Sequence, residues 1–109
     1  MHDEDEKEEK GEKKGSSLSQ EIIDSAVKER KIYLWSEIDD KVAERIVRQL
    51  LYMNSISADP ITMYINSPGG VISSGLAVYD AMKAIQAPVA TIVCGLAASM
   101  GSFLAATGT

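Results

Sequence analysis

Apolar residues recur at three- and four-residue intervals in the run DDKVAERIVRQLLYM, residues 39–53. Val42, Ala43, Ile46, Val47, Leu50, Leu51 and Met53 fall on one stripe, which predicts a helix with that side against a core. Asp39 or Asp40 caps its start, and Arg45 and Arg48 lie on the wet side. The same spacing returns in VISSGLAVYDAMKAIQ, residues 71–86, at Ile72, Leu76, Tyr79, Met82 and Ile85. An earlier helix is predicted over LSQEIIDSAVKER, with Ser19 as its N-cap and Leu18, Ile22, Ile23, Ala26 and Val27 on one face.

Short β-prone runs alternate with these helices: KIYLWS (Lys31–Ser36), ITMYIN (Ile61–Asn66) and the β-branched cluster from Val89 to Val93. Asn54–Pro60 reads as a loop, and Pro88 separates the second helix from the third strand. A last helix begins near Ser99. Strand and helix in alternation imply an α/β fold with parallel strands and right-handed crossovers.

Length and charge narrow the picture. With 109 residues the chain makes one small domain, and 45% apolar residues are enough for a core. A fold of this size buries only about two thirds of its unfolded surface. Net charge is −5, the wrong sign for nucleic-acid binding. Met1–Gly15 carries seven acids and four lysines and has no large hydrophobe after Met1. Such a segment cannot offset its ordering entropy by burial, so residues 1–17 are expected to be a disordered acidic leader and 18–109 the domain.

Cys94 is the single cysteine, so no disulfide can form within the chain. The start resembles neither a secretory signal nor a transit peptide, and a cytoplasmic location is expected. From Ala84 to Thr109 no residue is charged, but Pro88, Gly95, Gly101 and Gly108 interrupt the run. It reads as a buried strand followed by a buried helix, with no membrane span.

Two turns from a strand's C-terminal end into a helix are the candidate chemistry, because sites in α/β folds assemble at that edge. The first is Ser67-Pro68-Gly69-Gly70. Paired glycines with a helix start can leave amide N–H groups free to hold an anion or oxyanion, or can simply make a tight turn. Gly70 to Gly75 has the spacing of a phosphate loop, but Leu76 and Ala77 stand where Lys and Ser/Thr are required. Nucleotide binding is therefore excluded for this motif, and no cofactor or metal site is expected. The second turn is Ala97-Ala98-Ser99-Met100-Gly101. Small residues two places before and after a serine permit a nucleophile elbow, although serine is also a favoured helix N-cap.

YINSPGGVISSGLAVYDAM followed by GLAASMGSFLAATG resembles the family of proteolytic subunits of the ATP-dependent Clp protease, which are serine peptidases. The resemblance runs from about Lys31 to Thr109. It implies a Clp-protease/crotonase type of α/β fold, with repeated strand–strand–helix units and incomplete at the C-terminus. It also implies Ser99 as nucleophile, with the Gly70 and Met100 N–H groups as oxyanion hole. Hydrolysis of peptide bonds in unfolded polypeptides is the implied reaction. Stacked heptameric rings and an AAA+ ATPase unfoldase are the implied partners, and protein quality control the role.

A serine needs a base to take its proton. The one histidine, His2, lies in the charged leader, and the family's triad histidine and aspartate follow the serine, beyond Thr109. The chain is thus expected to hold the nucleophile and oxyanion hole without the base, either as a truncated Clp subunit or as a degenerate one. As a piece of the fold it should leave apolar surface uncovered. The leader also lacks the hydrophobic loop with which family members meet the unfoldase. Two rivals remain: a crotonase-like acyl-CoA enzyme, which needs no serine at the second turn, and a non-catalytic regulatory subunit.

Overall fold

The computed structural model describes residues 20–22 and 24–108. The expected leader, Ser19 and the apolar positions Leu18 and Ile23 lie outside the described residues. Residues 20–22 and 24–28 are helical, and Ile22 is exposed rather than on a buried face. Then come β1 (Lys31–Leu34), α1 (Asp40–Ile56), β2 (Ile61–Ser67), α2 (Ile72–Ala84), β3 (Val89–Ala97) and α3 (Met100–Ala106). Both strand pairs are parallel and the sheet order is β1-β2-β3. No helix among the described residues is long and apolar enough to cross a membrane.

Sequential strand order explains the burial pattern. When each right-handed crossover steps to the next position in the same direction, the helices collect on one face of the sheet. β2 accordingly alternates, with Ile61, Met63, Ile65 and Ser67 buried and Thr62, Tyr64 and Asn66 only partly covered. In β1, Ile32 and Leu34 point to the same core. On the open face Tyr33 stacks on Tyr64, with ring centres 5.3 Å apart.

α1 follows its predicted stripe closely. Ala43, Ile46, Leu50 and Met53 are buried, with Val42 and Val47 packed against them. Asp39 is the N-cap, its carboxylate accepting from the Val42 N–H at 2.9 Å. Leu51 is the exception: it is 50% exposed, lying beyond the edge of the stripe.

In α2 the core-facing side is rotated from the predicted one. Ser74, Gly75, Val78, Ala81 and Met82 are buried, and Ile85 follows, while Ile72 is 68% exposed and Leu76 is also exposed. Two small residues decide this. Gly75 admits the Met100 side chain of α3, which occupies the space a Cβ would need. Ser74 donates from its hydroxyl to Asp40 Oδ1 at 2.6 Å, so a polar residue can face α1. β3 extends beyond Val93 to Ala97, and Ile92, Val93 and Leu96 are exposed on it.

Candidate active site

The two glycine- and serine-bearing turns meet at the C-terminal ends of β2 and β3. β2 ends on Ser67, whose side chain is fully buried at the inward-facing position. Ser67 serves both turns. Its Oγ accepts from the Gly69 N–H at 3.1 Å, and its carbonyl accepts from the Ala98 N–H at 3.1 Å. Gly101 packs over the same carbonyl, where a Cβ would lie 3.0 Å from the Ser67 oxygen. That contact is why the position two beyond Ser99 must be small.

The Ser67–Gly70 turn is pinned from the other side by Ile38. The Ile38 N–H donates to the Gly69 carbonyl at 2.9 Å, and the Val71 N–H donates to the Ile38 carbonyl at 2.8 Å. Ile38 and Gly70 form an isolated parallel bridge outside the main sheet. A side chain on Gly70 would run into the Ile38 backbone. Gly69 has φ +103, a region open to glycine and costly for other residues. Its Cα faces the second turn: an added Cβ would lie 2.8 Å from Ser99 Cβ, 3.0 Å from the Ala98 oxygen and 3.1 Å from the Met100 nitrogen.

Ser99 itself has φ 51 and ψ −122, a strained backbone for a residue with a side chain. It makes no side-chain capping bond to α3, although its carbonyl accepts from the Phe103 N–H at 3.1 Å. The N-cap reading of this serine is therefore not realised as a hydrogen bond. Its side chain stands exposed at the head of α3. Among the described residues neither the Met100 N–H nor the Gly70 N–H has an acceptor. Met100 keeps its side chain buried between α2 and α3, so only its amide contributes to this surface.

Other features lie elsewhere. A surface cleft lined by Val27, Arg30, Tyr52 and Ile56 contains neither turn. Among the described residues no cluster of three or more His, Cys, Asp or Glu side chains could hold a metal ion. His2 lies outside the described residues. Ile38 belongs to no motif, and Ser67, though part of the first candidate turn, carried no expected role of its own; its signal is that it is the polar member of an alternating series that is otherwise apolar and buried.

A strained serine at a strand-to-helix turn, packed on Gly69 and near the Gly70 and Met100 amides that lack an acceptor among the described residues, has the geometry that a nucleophile elbow requires. The family model for Clp protease matches residues 13–109, and the chain belongs to the Clp protease family. It is 52% identical over 89 residues to the ATP-dependent Clp protease proteolytic subunit 1 of Salinibacter ruber (strain DSM 13855 / M31). That alignment covers 81% of this chain and 38% of the relative. The chain therefore spans about two fifths of the length of the curated relative it matches.

Proposed function

We propose that this chain contributes the nucleophile and oxyanion hole of an ATP-dependent Clp protease subunit, a serine endopeptidase acting on unfolded polypeptides. Ser99 Oγ attacks the scissile carbonyl and forms an acyl-enzyme. The Gly70 and Met100 N–H groups hold the oxygen as it becomes negative, and fixed amides cost no reorganisation when that charge develops. The observation that carries this reading is the Ser99 backbone, strained at φ 51 with no capping bond and pressed against Gly69. A serine kept only as a helix cap gains nothing from that conformation.

In this reading the base that takes the Ser99 proton, and the carboxylate that orients it, belong to the family sequence that follows the serine. ATP is consumed by a separate AAA+ unfoldase, in keeping with the phosphate-loop spacing that lacks its lysine. Stacked heptameric rings in the cytoplasm complete the proposal.

The test uses the full-length protein and a fluorophosphonate probe. Labelling at Ser99, abolished in Ser99→Ala, supports the peptidase. Assembled rings that take no probe would identify a regulatory subunit. Absence of labelling together with acyl-CoA binding would identify the crotonase-like alternative.

A further inference from the structure

The position of the elbow depends on a break in the β2–β3 ladder. Ile65 pairs with Val93, but the next pairing is Ser67 with Ala97. Two steps along β2 are matched by four along β3, so the surplus residues bow out as a bulge. Bowed backbone loses its regular partners, and its amides need another acceptor. Leu96 N–H finds one in a side chain, donating to Asn66 Oδ1 at 3.1 Å. Gly95, at φ +88, turns against the same amide: a Cβ there would lie 3.0 Å from Asn66 Oδ1 and 3.3 Å from its Cγ.

The next link is direct. Asn66 holds Leu96, and its neighbour Ser67 holds Ala98 through the backbone. Two consecutive residues of β2 thus anchor the chain on both sides of Ala97, immediately before the strained Ser99. Asparagine is a poor strand former. A residue that contradicts its local structure while making one specific long-range bond points to a selected role.

We infer that Asn66 is a positioning residue for Ser99, its amide oxygen setting the shape of the bulge and thereby where the hydroxyl stands. This rests on the reading of Ser99 as nucleophile. Asn66 itself touches no reacting atom. Removing its oxygen frees the Leu96 N–H and lets the segment before the elbow relax, and small misplacements of a nucleophile are costly in rate.

The experiment compares Asn66→Ala and Asn66→Asp in the full-length protein, the second variant keeping an acceptor oxygen. Amide hydrogen exchange reads the bulge, and the rate of fluorophosphonate labelling reads Ser99. Asn66→Ala is expected to exchange about fivefold faster at Leu96, the scale of one lost hydrogen bond, with Met63 and Ile65 unchanged. It should label about tenfold more slowly or worse, and Asn66→Asp should recover slow exchange and part of the labelling rate. Unchanged exchange at Leu96, a uniform rise across β2 and β3, or unaltered labelling would overturn the inference. If wild-type Ser99 takes no probe, the peptidase reading falls. Exchange then decides alone: acceleration from Leu96 through Gly101 upholds the positioning role, and none overturns it.

Discussion

Gly69 and Ser99 belong to different turns, yet a single methyl group on Gly69 would stand 2.8 Å from the Ser99 Cβ. No smaller residue exists, so the approach of the two loops is at its limit. Gly69→Ala must therefore push the turns apart as well as adopt φ +103 with a side chain. The expected cost is about 1–3 kcal/mol of stability from backbone strain alone, read by denaturant unfolding. Probe labelling at Ser99 should fall by about 100-fold through misplacement. Labelling at the wild-type rate would show that the loops do not need to be this close.

Gly75 and Met100 make a second tight contact, between α2 and α3. An alanine at 75 would place its Cβ into Met100 Cγ and within 2.6 Å of its sulfur. Gly75→Ala is expected to lose about 1–3 kcal/mol through overpacking. Met100→Ala should lose about 2–5 kcal/mol by leaving a cavity. Because the new methyl then fills part of that cavity, the double variant should cost clearly less than the two losses added. Additive losses would mean the two side chains do not share one space.

Arg30 closes the C-terminal end of α1. Its guanidinium donates to the carbonyls of Met53 (2.9 Å), Ser57 (3.0 Å) and Asp59 (2.7 Å), while its own backbone sits at φ 59. The Met53 carbonyl also accepts from the Ser57 N–H at 3.2 Å, and Ser57 and Asp59 lie just past the helix, so the guanidinium ties the helix end to the loop that follows it. Arg30→Ala should destabilise by about 1.5–3 kcal/mol, the range for bonds to a charged donor. Lysine cannot reproduce the planar fork, so Arg30→Lys is expected to recover less than half of the loss. Equal stability of lysine and arginine variants in urea melts would refute that.

Glu29 and Lys31 flank Arg30 and form an ion pair at 2.8 Å. The hydrogen bond from Lys31, with its charge second, holds the Glu29 carboxyl below its ordinary value, and the same contact raises Lys31. For a depressed carboxylate, the stabilisation is present above the unfolded value and disappears as pH falls through the folded one. Both groups are open to solvent, so the effect on stability is small. An NMR titration should find Glu29 ionising at lower pH than in Lys31→Ala, with the difference shrinking in high salt. No difference between the two proteins would show that the pair does not persist in solution.

How far the chain could be read in advance varied with the kind of contact. α1 was legible because its stripe is long and its cap, Asp39, acts within a few residues of itself. α2 was harder. Its most apolar residues include Ile72 and Leu76, but the buried side runs through Ser74 and Gly75, chosen by neighbours on α1 and α3. Hydrophobic spacing measures one helix alone and cannot register a partner that prefers a small or polar face. The sequence pattern ends β3 at Val93 for a related reason: its later residues, Gly95 especially, look like a turn, whereas they form a bulge closed by a side chain from β2.

Local order along the chain settled the alternation of strands and helices, the parallel class of the sheet, and the two turns where chemistry was sought, since each rests on spacing within a few residues. Tertiary structure alone decided that Gly69 meets Ser99, that Ser67 and Asn66 hold the segment before the elbow, and which side of α2 is buried. Those relations join residues roughly thirty positions apart. They exist only once β2 and β3 lie side by side, because close packing between elements has no counterpart in the pattern of either one.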